Sequence, residues 1–189
     1  MKNSAIFAIM KKRKTLFLTE VNGEQWCSDG YQAYNISSLP NLTPDQFLAL
    51  IGVETAKQGE YICRISDELS KSIYSERPYS EKEANALIFD IDLGSGPLIP
   101  LEAFGTVFFI PRKSLKPFSD DLADLRYYVQ KAGEHFSVVI KIGMLQAGVI
   151  MPMHIGKAFV DDISRLSELI AAEDYGEPED AIDDLSVPY

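Results

Sequence analysis

The chain has 189 residues, 46 % of them apolar and 24 % charged, enough for one self-sufficient core and close to ordinary globular averages. Its net charge of −10 works against general binding to the phosphate backbone of nucleic acid. Cys27 and Cys63 are too few for a disulfide framework and are not spaced as a metal knuckle, so two reduced thiols in a cytoplasmic protein are expected.

The first third reads as β. Ile6-Phe7-Ala8-Ile9-Met10 is expected as a short strand, Lys11 to Lys14 as a polar, solvated turn, and Thr15 to Val21 as a second strand. In a signal peptide the cations precede the apolar run; here they follow it, so no leader is expected. Asn22-Gly23 is a strong hairpin signal. Glu24 to Ile36 follows as a third strand interrupted by Ser28-Asp29-Gly30, which gives a meander, with Trp26 in the core. Thr43 and Pro44 form an N-cap and first helical position, with Phe47, Leu48, Leu50 and Ile51 as the buried stripe.

Glu60 to Ile65 is expected as a strand, 66–85 as polar loop or helix, Ala86 to Leu93 as a strand, and Gly94 to Pro97 as a turn. Thr106 to Ile110 is a strand that Pro111 ends. Asp120 to Lys131 is expected as a helix from the spacing of Leu122, Leu125, Tyr128 and Val129. His135 to Ile142 and Ala147 to Ile155 read as strands around a turn at Gly143. Residues 157–173 form the clearest helix, with Phe159, Ile163, Leu166, Leu169 and Ile170 as its stripe. Residues 174–189 read as an acidic, disordered tail. Residues 173–184 hold seven acids and no base, so the remainder carries about −3. No apolar stretch approaches the ~20 residues of a membrane span.

Asp90-Ile91-Asp92 places two carboxylates at i and i+2 of the expected strand, on one face, an arrangement that can hold Mg²⁺ for phosphoryl or nucleotidyl transfer. No Ser-x-His and no second acidic pair accompanies it. His135 and His154 are the only histidines, and neither has a nucleophile setting around it. Gly94-Ser95-Gly96 is too short for a phosphate loop, and no cofactor is expected.

Three segments, in the same order along the chain, resemble the sliding clamp family, the β subunit of bacterial DNA polymerase III. Glu24-Gln25-Trp26-Cys27-Ser28-Asp29-Gly30-Tyr31-Gln32-Ala33 is similar to the family's "ATDGHRL" segment. Val107-Phe108-Phe109-Ile110-Pro111-Arg112-Lys113-Ser114-Leu115 is similar to its "VPRK" junction. Gly148-Val149-Ile150-Met151-Pro152-Met153-His154-Ile155 resembles its closing "YVVMPMRL". The resemblance implies an α+β, clamp-like domain over residues 1–173, largely antiparallel with packed helices, carrying an insertion around 38–105. It also implies an apolar pocket for short peptides of replication factors. Ser28, Tyr31 and Ala33 would stand on one wall, and Met151, Pro152, Met153 and His154 on the other. Arg112 and Lys113 would face DNA. Implied partners are replication-protein peptides, a second copy of the chain, and DNA. Gln32 and His154 stand where the family has arginines, the chain has room for one of the family's three repeated domains, and a family helix ahead of the first strands is not expected here. The competing expectation is a metal-dependent nucleotidyl- or phosphotransferase using Asp90 and Asp92.

Overall fold

The computed structural model describes residues 1–73, 80–94 and 96–173. The expected acidic tail, 174–189, lies outside the described residues, as does Ser95 of the expected turn.

The chain opens on a helix. α1 (Asn3–Met10) replaces the strand expected there, and a helix therefore precedes the first strands after all. Its i, i+4 pair Ile6 and Met10 is fully buried, which a helix achieves by stacking the two side chains one turn apart. β1 (Thr15–Val21) and β2 (Glu24–Ser28) form the expected hairpin. Asn22 and Gly23 carry φ of 55° and 81°, the paired left-handed conformation of a two-residue turn. β3 (Gln32–Asn35) returns antiparallel to β2, so the interruption at 29–31 is a true reversal and the meander holds.

α2 (Pro44–Leu50) carries the expected cap. Thr43 Oγ1 accepts from the Gln46 amide, and Gln46 Oε1 accepts from the Thr43 amide. Phe47, Leu48 and Ile51 are buried, whereas Leu50 faces solvent. α3 (Thr55–Gln58) leads to β4 (Ile62–Ile65), which pairs parallel with β1. α4 (Asp67–Ile73) follows.

From Ser80 onward, two expectations fail together. β5 (Ser80–Ala86) is a strand where a loop or helix was expected. Residues 87–90 turn, so the expected strand Ala86 to Leu93 is reduced to β6 (Ile91–Asp92). β7 (Pro97–Ala103) then forms a hairpin with β8 (Thr106–Pro111). A 3₁₀ segment covers Arg112–Phe118.

The helix expected at 120–131 is also a strand. β9 (Leu125–Ala132) pairs along its whole length with β10 (His135–Ile142), which pairs in turn with β11 (Leu145–Ile150). α5 (Lys157–Glu173) has the expected bounds.

The strands join in the order β4-β1-β2-β3-β11-β10-β9-β5-β7-β6, with β8 on the other edge of β7. The result is a large, mostly antiparallel sheet with a few helices, a mixed α and β architecture. The 38–105 region supplies β4 at one end of the sheet and β5, β6 and β7 at the other.

Period-two alternation divides the buried residues between two faces. Val138 and Ile140 join Leu16, Leu18, Phe47 and Phe118 in the main core, under α1 and α2. Val139 points the other way, to Trp26 and Ile73. Phe108 and Ile110 enter the main core, while Val107 and Phe109 meet Ile163 and Phe159 of α5. Phe159 and Ile163 of the α5 stripe are covered, and Ile170 is half-buried. Leu166 and Leu169 are exposed.

Candidate functional site

The β2–β3 reversal is organised by Asp29. Its side chain is 2 % exposed. Oδ1 accepts the amides of Tyr31 and Gln32, each at 3.0 Å, and Oδ2 accepts the Gln32 side-chain amide at 3.1 Å. An Asp at this position satisfies backbone donors that the turn would otherwise leave unpaired. Arg13 approaches Oδ2 to 3.5 Å, and its guanidinium lies 5.3 Å from the centre of the Tyr31 ring. Tyr31 is thereby held outward, 63 % exposed, between a fixed turn and a cation.

Behind it, Tyr34 is fully buried. Its hydroxyl lies 2.8 Å from the Ser114 carbonyl, to which it donates, and its ring sits 5.8 Å from that of Phe118. Burial, reinforced by the nearby Asp29 charge, pushes the Tyr34 hydroxyl well above its usual range, which keeps the proton needed for that bond. The Ser114 contact ties the 3₁₀ segment after β8 to β3, eighty residues away in sequence.

The third element is the segment after β11. The Met151 amide donates to the Tyr31 carbonyl and the Met153 amide to the Phe109 carbonyl, both at 2.8 Å. Pro152, which has no N–H, lies between them. Met151 is 54 % exposed and Met153 38 %.

These parts enclose one cleft of about 460 Å³, within the size range of small-ligand and peptide pockets. Tyr31, Leu98, Ile150, Met151, Pro152 and Met153 make it apolar, and Arg13 and Lys113 place two cations on its rim. Such a surface can accept apolar side chains of varied shape, because methionine repacks easily, and it favours carboxylates beside them.

No family model matches the chain, and no curated protein or solved structure matches it.

Of the residues singled out by sequence, Tyr31, Met151, Pro152, Met153 and His154 line this cleft together. Ser28 and Ala33 do not. They are 2 % and 4 % exposed and sit behind the wall, where the Ser28 hydroxyl accepts the Gly30 amide. Lys113, read as a DNA contact, lines the cleft. Arg112, its neighbour, forms a two-bond ion pair with Asp90. That bond raises the guanidinium pKa further.

Asp90 lies outside any strand, so it and Asp92 do not share the strand face expected of them. Asp92 Oδ1 accepts the amides of Gly94 at 2.7 Å and Gly96 at 3.2 Å, closing a turn. Both carboxylates thus have structural occupations. Among the described residues no group of three or more His, Cys, Asp or Glu is arranged to hold a metal ion. Among them also, no helix is long and apolar enough to cross a membrane. Both thiols are free.

Sequence reading missed Arg13, because a run of four basic residues after an apolar stretch looks like a solvated loop. It passed over the role of Asp29, although Asp-Gly between strands signals a side chain that caps its own turn.

Proposed function

We propose that the chain is a sliding-clamp-like peptide-binding module associated with DNA replication, which takes short linear peptides of replication factors into the cleft of Tyr31, Met151 and Met153. One observation carries the reading. Three segments chosen by resemblance, far apart in the sequence, contribute Tyr31, Lys113 and Met151–His154 to a single apolar cleft. A structural role alone would not require two methionines and a tyrosine to stand exposed on one concave surface.

Binding rather than chemistry is supported by the lining. The cleft holds no cysteine, and His154 is its only histidine. The test is fluorescence polarisation of a labelled Gln-Leu-Ser-Leu-Phe peptide. Saturable binding in the micromolar range is expected. Met153→Ala removes a central apolar contact worth about 1 kcal/mol and weakens it about fivefold. Absence of binding at several hundred micromolar protein would overturn the reading.

A further inference from the structure

We infer that the cleft of one copy takes the β10–β11 hairpin tip of a second copy, Met144 and Leu145, so that the chain associates head to tail and a partner peptide competes with that contact. The inference rests on the reading of the cleft as a docking site for apolar side chains and names one of its occupants.

The tip is built to protrude. Ile142 pairs with Leu145, which leaves Gly143 and Met144 as a two-residue turn. Gly143 has a φ of 58°, the conformation that the first position of such a turn requires. Its amide donates to the Asp124 carbonyl at 3.3 Å, which ties the turn to the short 3₁₀ segment Leu122–Asp124. Turns of this kind are normally filled by Gly, Asn, Asp or Ser. Here Met144 is 97 % exposed and Leu145 74 %. The adjoining segment adds a third exposed apolar side chain, Leu122, and an exposed carboxylate, Asp124.

The cleft offers the complement. Tyr31, Met151 and Met153 present apolar surface, and Arg13 and Lys113 present positive charge. Asp29, the one acid on its lining, is turned onto its own loop. An apolar tip with a carboxylate behind it matches that surface in shape and in charge, and about 460 Å³ leaves room for more than one side chain.

The geometry rules out an internal contact. β11 begins at Leu145 of the tip and ends at Ile150, next to Met151 of the cleft wall. Six residue steps at about 3.4 Å each set tip and cleft about 20 Å apart, at opposite ends of one strand. A tip therefore reaches only a neighbour's cleft, and each pair keeps one free tip and one free cleft, the pattern of a heterologous contact. The surface involved is small, so the association is weak, with a dissociation constant on the order of 0.1–1 mM.

The test is sedimentation equilibrium of the full-length chain between about 20 µM and about 1 mM, a range suited to contacts of this size. The parent is compared with a tip variant (Met144→Ser, Leu145→Ser) and a cleft variant (Lys113→Glu, Met153→Ala). The average mass of the parent is expected to rise about 1.5-fold over that range. Each variant alone stays monomeric. An equal mixture of the two forms pairs and nothing longer, because one intact tip meets one intact cleft, and this rescue shows that both variants are folded. Saturating Gln-Leu-Ser-Leu-Phe disperses the parent, and added salt weakens its association. A parent that stays monomeric at about 1 mM, or a tip variant that associates as the parent does, overturns the inference. If Gln-Leu-Ser-Leu-Phe still binds in that case, the peptide reading stands. Association that needs both tip and cleft, without any peptide binding, upholds the inference and removes the peptide reading.

Discussion

Asp29→Asn replaces a buried carboxylate with an amide of nearly the same size. The new Oδ1 can keep the two bonds from the Tyr31 and Gln32 amides. The new Nδ2 cannot accept, and it meets two donors, Gln32 Nε2 and Arg13 Nε. One hydrogen bond to a charged acceptor is lost, worth about 1.5–3 kcal/mol. The Arg13 pair adds less than about 1 kcal/mol, because the guanidinium is 55 % exposed and its contact is long. A loss of about 2–3 kcal/mol follows. In a domain of this size each kcal/mol moves the melting temperature by about 2–4 °C, so a fall of about 4–12 °C is expected by calorimetry. The Tyr31 loop is also released, and affinity for the Gln-Leu-Ser-Leu-Phe peptide should drop severalfold. A melting temperature within about a degree of the parent, with unchanged affinity, would refute the claim that this carboxylate builds the cleft wall.

Gly148→Ala should destabilise without touching the cleft surface. A Cβ there would stand 2.9 Å from Phe118 Cζ, and that ring is fully buried and has no room to retract. Overpacking of this kind costs about 1–3 kcal/mol, read as a lower urea midpoint, and Phe118→Leu in the same chain should recover part of it. Both thiols should resist alkylation at pH 8. Burial pushes Cys63 up to about 11 and Cys27 higher still, so neither forms much thiolate. Mass spectrometry of the native protein should show slow labelling of Cys63 and none of Cys27. Because the folded thiols keep protons that the unfolded chain loses above about pH 9, stability should fall as the pH rises from there toward 11.

Much of the sheet was legible because its signals are local. Thr15–Val21 and His135–Ile142 alternate between core and opposite face, and Asn22-Gly23 fixes the first hairpin. The failures have a shared cause. Leu125 and Val129 are four apart, a spacing that puts two side chains on one face of a helix and equally on one face of a strand. Both are buried in β9, and pairing with β10 and β5 decided between the alternatives. Ile6 to Met10 is too short for its period to be read. Pro97 and Pro100 masked β7, whose Pro100 sits in the ladder opposite Phe109 and whose carbonyl receives the Leu87 amide. In the site, the exposed Tyr31 and the methionines were legible as motifs. Arg13 was not, because its place over the Tyr31 ring depends on how α1 ends against the sheet, which no local pattern records.

The segment Met151-Pro152-Met153 crosses from the β2–β3 reversal to β8, with one amide committed on each side and none between. It has no free main-chain donor left at those three positions to offer a guest. An incoming peptide could therefore add to this wall only through its own amides donating to the wall's carbonyls, half of the ladder that normally fixes register and direction. Recognition along this wall falls mainly to side-chain shape. That makes it tolerant of sequence and orientation, and selective mainly for where a few apolar groups stand along the ligand.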